Sequence, residues 1–101
     1  MLIKLVTVNE EIVNFNNSQG HKKYYVSQVY INPYHVVVLK EDLQYVELNV
    51  KKHLPEGFEK DQKFTRVLIN RGNMGEEFVV VGDIKGIASK LNEGMHGNQT
   101  K

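Results

Sequence analysis

The sequence predicts an α+β domain in which a small antiparallel β-meander or partial barrel is closed by one C-terminal amphipathic helix. The length of 101 residues and the hydrophobic fraction of 41% fit one domain with one modest core. Short segments rich in β-branched and aromatic residues alternate with turn-forming residues through most of the chain. Helical spacing of apolar residues is clearest near the C-terminus.

The β-rich segments predict about five to seven short strands, because each combines strand-forming residues with turn signals at its ends. A turn is predicted at Asn9-Glu10, a loop over 16–21, and a break at Asn32-Pro33, since proline has no amide hydrogen. Residues 51–62 are polar and predict a further loop. The candidate strands cover residues 2–8, 11–15, 23–31, 35–40, 43–50, 63–70 and 77–81.

The hairpin and the terminal helix have the clearest local signals. Residues 71–75 carry two glycines, which supply the positive φ of a tight turn. Asp83 is a suitable N-cap, and Gly94 is placed to end a helix over residues 83–93. The apolar stripe that is expected to close the sheet, and so to be unavailable for binding, consists of Ile84, Ile87, Ala88 and Leu91.

These elements define one domain over residues 1–94, with a flexible tail over 95–101. The chain contains no cysteine, which excludes disulfides, thiolate metal sites and cysteine nucleophiles. No leader peptide or membrane span is recognisable, so we expect a cytoplasmic protein without a membrane partner. The formal net charge of +1 gives no general attraction to polyanions.

No catalytic constellation is recognisable in the sequence. The four histidines have no partner at a metal-ligand spacing, and no serine lies in a nucleophile elbow. Adjacent carboxylates such as Glu76 and Glu77 point to opposite faces of a strand, which does not suit paired acid-base chemistry. We therefore predict a binding protein with no catalytic residue, no metal and no cofactor.

Tyrosine is the residue type that favours a binding surface, because it combines a large apolar ring with a polar tip and is enriched in interfaces. If the strand is regular, Tyr24 and Tyr25 point to opposite faces, so at most one packs in the core. The candidate surface consists of Tyr24, Tyr25, Tyr30, Tyr34 and Tyr45.

A nucleic-acid interface is the alternative, because basic residues next to aromatic ones suit a single strand. Neighbouring carboxylates weaken its positive charge. A second alternative is a site for small anionic ligands such as nucleotides, formed between subunits. The basic candidates are Lys22, Lys23, Lys51, Lys52, Lys63 and Arg66.

Parts of the chain resemble the small flagellar-operon FlbD-like family, which has short phage proteins among its relatives. The similar segments are residues 3–5, 31–33, 65–70 and 78–81 followed by 83–91. Relative to that family, residues 14–25 and 43–62 are insertions. The resemblance implies a similar order of strand, turn, hairpin and helix, but no chemistry and no catalytic residue.

These observations predict a small adaptor or inhibitor that binds a protein partner. A narrower version of this prediction is a phage-encoded protein that modulates a host protein in the host cytoplasm. A small domain with an open sheet leaves strand edges exposed. We therefore expect a homodimer or a higher oligomer.

Overall fold

The computed structural model describes residues 1–13 and 21–96 of the chain. Its strands are β1 (Ile3–Val13), β2 (His21–Ile31), β3 (Val36–Glu41), β4 (Phe64–Arg71) and β5 (Met74–Val81), and its helices are α1 (Leu43–Val50) and α2 (Ile84–His96). The strands form one antiparallel sheet in the order β2-β1-β5-β4-β3. This confirms the predicted α+β class with a C-terminal helix; the sheet is open rather than curled into a barrel.

The sheet has a hydrophobic core on each side, because alternate side chains of a strand point to opposite faces. Helix α2 covers one side, called the α2 face, and α1 with the loop that follows it covers the other, called the α1 face. The buried core of the α2 face consists of Leu5, Ile31, Val67, Ile69, Val80, Ile87 and Leu91. That of the α1 face consists of Val8, Tyr45, Leu54, Phe64 and Val79.

The β4–β5 hairpin forms as predicted. Arg71 pairs with Met74, so the turn between them consists of Gly72 and Asn73. Gly72 has a φ of 68°, a backbone conformation that a residue without Cβ adopts readily. A positive φ at the first central residue is the requirement of type II′ turns, which match the twist of the paired strands.

The prediction of a strand over residues 43–50 is wrong, because this segment forms α1. Asp42 begins the helix: its side-chain Oδ1 accepts a hydrogen bond from the Tyr45 amide at 2.8 Å. Tyr45 is buried, and Val46, Leu48 and Asn49 are half-buried. These positions fall on one helical face that packs against the sheet, and this tertiary contact overrides the strand-like alternation of the sequence.

The predicted turn at Asn9-Glu10 is also wrong, since β1 continues through both residues to Val13. The Asn9 side chain donates hydrogen bonds to the hydroxyl groups of Thr7, at 3.2 Å, and Ser27, at 2.8 Å. These bonds give the Asn9 side-chain amide its hydrogen-bond partners within the sheet, so this side chain does not form the local backbone hydrogen bonds that favour a turn. The loop predicted over 16–21 lies outside the described residues except for His21, which belongs to β2.

Helix α2 continues past the predicted end at residue 93 and includes Met95 and His96. Gly94 does not end the helix but is buried within it, where a Cβ atom would clash with the side chain of Ile3 and approach Pro33 Cγ to 3.2 Å. The glycine lets α2 lie close to the start of β1. Residues 97–101 of the predicted tail lie outside the described part of the chain.

Candidate functional site

A groove of about 750 Å³ runs between α2 and the edge strand β3. Most of the side chains that line it are apolar, and several of them are exposed to solvent. The apolar residues that line it are Pro33, Tyr34, Val36, Val37, Val38, Leu39, Ala88, Leu91 and Met95. Open apolar surface of this kind is typical of a place where another molecule binds.

The turn before β3 closes one end of the groove. Asn32 Oδ1 accepts a hydrogen bond from the Tyr34 amide at 3.0 Å, and Pro33 at the first position of a short 3-10 helix, Pro33–His35, fixes the chain direction. The Tyr34 hydroxyl donates a hydrogen bond to the Met95 carbonyl oxygen at 2.7 Å. This bond joins the turn to the last residues of α2. His35, which the sequence placed in a strand, ends the 3-10 helix instead.

The expectation that the whole predicted stripe of α2 closes the sheet is wrong for one of its four residues, Ala88. Ile87 and Leu91 are buried against the sheet, and Ile84 is half-buried. Ala88 is exposed and lines the groove, as does the neighbouring Ser89. The small side chains of these two residues leave space between α2 and β3. The periodicity of apolar residues does not predict this space, because it does not take side-chain size into account.

The groove has one charged residue among the described residues that line it, Lys85 in the first turn of α2. Lys85 is exposed and takes part in no ion pair within the described residues. Its ammonium group therefore gives a positive charge to a groove that is otherwise apolar or uncharged. A ligand with apolar groups and one carboxylate complements this arrangement.

A second recess, of about 700 Å³, lies beside the loop that follows α1. Its charged lining residues have mixed signs, Lys52 and Lys60 with Glu56. Two of its lining residues are Leu54, which belongs to the core of the α1 face, and Phe58, which packs against that core. The Phe58 and Phe64 rings meet edge to face with centroids 5.5 Å apart. The recess is formed by the end of α1 and the loop that follows it. Because its charged residues have both signs, they favour neither an anionic nor a cationic ligand.

The five tyrosines of the predicted surface do not form one continuous surface. Tyr45 is buried in the core of the α1 face, and Tyr24 packs edge to face against it with ring centroids 5.8 Å apart. Burial, with the nearby Glu10 carboxylate as the next cause, raises the pKa of Tyr45 to about 12. Tyr25 and Tyr30 are exposed on opposite faces of β2, as their register with β1 shows, and Tyr34 lies at the groove.

Half of the basic candidates are ion-paired. Arg66 contacts Asp42 at 2.5 Å and Glu77 at 3.2 Å, Lys22 contacts Glu10 at 3.3 Å, and Lys51 contacts Glu47 at 3.9 Å. Lys22 and Lys23 point to opposite faces of β2 because they are adjacent in a strand. Lys52 and Lys63 are exposed and lie outside the strands. The structure does not bring these six residues together on one surface.

Within residues 1–13 and 21–96, no group of three or more histidine, aspartate or glutamate side chains is placed to hold a metal ion. Over the same residues, neither helix has the length and apolar composition needed to cross a bilayer. No protein-family model, curated protein or solved structure significantly matches the chain. The FlbD-like resemblance and the cytoplasmic location therefore stay predictions.

Proposed function

We propose that the chain is a protein-binding module, an adaptor or inhibitor, that holds a short apolar segment of a partner in the groove between α2 and β3. The observation that supports this most directly is the apolar groove of about 750 Å³ with Lys85 as its charged lining residue. The partner segment then carries apolar side chains for the groove and an acidic side chain for Lys85. A host protein bound by a phage-encoded chain is the narrower form of this proposal.

The exposure of the groove favours a protein segment over a small molecule. Small-molecule sites enclose most of their ligand, whereas Tyr34 and Val37, which line this groove, are 67% and 58% exposed. A protein segment covers these side chains while the rest of the partner stays outside. Apolar burial supplies affinity, and the lysine selects the charge of the segment.

Selection from a library of random peptides displayed on phage tests the proposal. We expect the folded protein to enrich peptides with several apolar residues and one aspartate or glutamate. Lys85→Glu should shift the enriched charge to lysine or arginine. Lys90→Glu is the matched control, because Lys90 is an exposed α2 residue outside the groove lining. No enrichment, or the same charge preference after Lys85→Glu, would contradict the proposal.

Affinity measurements on one selected peptide separate the two contributions. Fluorescence anisotropy should show a two- to fivefold weaker Kd for Lys85→Gln, since an exposed ion pair contributes about 0.5–1 kcal/mol, and a larger loss for Lys85→Glu, which adds repulsion between two carboxylates. Ala88→Arg fills the groove and should weaken the Kd by about tenfold or more. Val50→Arg, on the exposed side of α1, should leave the Kd of the peptide unchanged. Equal binding to the Ala88 and Val50 variants would place the peptide elsewhere.

A further inference from the structure

The two outer strands of the sheet differ in how they are protected against pairing with another strand. Strand β3 has 6 residues, and its register with β4 shifts between Val36 and Val38. Short length and a bulge both hinder the addition of a strand. Strand β2 has 11 residues in unbroken register with β1, from Ile3 opposite Ile31 to Val13 opposite His21. Its outer edge is a long, regular template for another strand.

Strand β2 also exposes large apolar side chains. Val26 and Tyr30 are 44% and 60% exposed on the α1 face. Val6 of β1 is also exposed on this face, and it lies between them because it pairs with Gln28. Residues 24–31 contain no proline and no charged side chain, the devices that natural edges commonly use. Val6, Val26 and Tyr30 form an apolar strip along an edge that no other strand covers within residues 1–13 and 21–96.

The charges of β2 select how a second copy pairs with it. Its charged residues, Lys22 and Lys23, lie at one end, and the strand carries no aspartate or glutamate. Parallel pairing of two copies places these lysines side by side. Antiparallel pairing about a two-fold axis at Val26, the midpoint of His21–Ile31, places Lys22 opposite Tyr30 of the copy.

In this register every residue of β2 lies opposite a residue of β2 in the copy, and the lysines of the two copies are far apart. Lys22 and Tyr30 are eight positions apart, so equivalent lysines of the two copies lie about 26 Å apart at ~3.3 Å per residue. That distance is well beyond the Debye length of about 8 Å at physiological ionic strength. The Lys22 ammonium group, which contacts Glu10 of its own chain, lies beside the Tyr30 ring of the copy in this register, and a tyrosine ring is a favourable cation–π partner.

We infer that the chain forms a symmetric homodimer in which β2 pairs antiparallel with β2 of a second copy about a two-fold axis at Val26. The two sheets become one continuous sheet, and the Val6–Val26–Tyr30 strips of both copies meet across the axis. The dimer does not rest on the proposed peptide groove, because that groove lies at β3, the opposite edge of the sheet.

Charge substitutions at the axis test this inference. We expect sedimentation equilibrium to give a dimer for the full chain. Val26→Lys and Val26→Glu each place two like charges opposite one another and should raise the dimer Kd by about tenfold or more. An equimolar mixture of the two variants should regain dimer, because unlike charges then meet at the axis.

Val50→Lys is the control, since Val50 is 63% exposed on α1 and away from β2. It should dimerise as the unsubstituted chain does, and circular dichroism should show that all variants are folded. A monomeric unsubstituted chain at tens of micromolar would overturn the inference. A dimer that Val26→Lys leaves intact would overturn it too, as would a mixture that stays monomeric.

Discussion

Asp42 connects a helix to the sheet through its two carboxylate oxygens. Oδ1 accepts the Tyr45 amide hydrogen at the start of α1, and Oδ2 accepts a hydrogen bond from Arg66 of β4. The Asp42 amide itself donates to the Phe64 carbonyl oxygen at 2.9 Å. The residue is 4% exposed, so water does not replace these partners.

Replacing this carboxylate should destabilise the fold. Asp42→Ala removes the helix cap and leaves Arg66 without its buried partner, and we expect a loss of about 2–4 kcal/mol in the free energy of unfolding. Urea denaturation measures this loss. Glu77→Gln is the control, because Glu77 binds the same guanidinium group from a side chain that is 47% exposed, and it should cost under about 0.5 kcal/mol. Equal losses for the two variants would contradict the assigned role of Asp42.

Tyr45 should make stability decrease at alkaline pH. Burial raises the pKa of its phenol from 10.0 to about 12, so the folded state keeps a proton that the unfolded state releases. This contribution to stability is fully present below pH 10 and is lost as the pH rises from about 10 to 12. Urea denaturation across that range should show a smaller decrease for Tyr45→Phe. Identical pH dependence in the two proteins would show that Tyr45 is not the group responsible.

At the scale of elements, α1 and the loop after it act together to cover the α1 face. The loop is joined to the helix by a hydrogen bond of 2.7 Å from the Asn49 side-chain amide to the Glu59 carbonyl oxygen. Leu54 of this loop is 8% exposed and packs with Tyr45 and Phe64. A polar loop is thereby ordered by a few apolar side chains.

Removing the Leu54 side chain should cost about 2–4 kcal/mol, the range for leucine-to-alanine changes in cores. Val50→Ala is the matched control, because Val50 is 63% exposed at the end of the same helix and should change stability by no more than about 0.5 kcal/mol. Urea denaturation of both variants checks the difference. A Leu54→Ala loss no larger than that of Val50→Ala would mean that the loop is not part of the core.

At the scale of the whole molecule, one sheet forms the wall of both cores. Adjacent residues of β5 illustrate this, since Val79 is buried in the core of the α1 face and Val80 in that of the α2 face. Loss of either helix exposes one side of the same five strands. The two cores therefore depend on each other for stability.

We expect the described domain to unfold in one transition. Leu54→Ala on the α1 face and Leu91→Ala on the α2 face should each move the whole urea transition to lower concentration without splitting it. Far-ultraviolet and near-ultraviolet circular dichroism, recorded at one protein concentration, should give coincident curves. Separate transitions for sheet and aromatic signals would show that the two cores unfold independently.

Local sequence signals predicted the elements whose ends are marked by special residues. Gly72 sets the hairpin turn, Asp83 begins α2, and Asn32-Pro33 ends β2. The Asp83 side chain does accept a hydrogen bond from the Gly86 amide at 3.1 Å. These signals act within a few residues of themselves, so they are readable without knowledge of the fold.

The sequence by itself determined an α+β domain with an antiparallel sheet and a C-terminal helix, because strand-forming segments and a helical stripe differ in local periodicity. Only the tertiary structure decided that residues 43–50 form a helix, since that choice depends on packing Tyr45 against Phe64. It likewise decided that β2 and β3 are the edges of the sheet and that α2 leaves a groove beside β3. Strand order and grooves arise from contacts between residues far apart in the chain, and periodicity carries no information about such contacts.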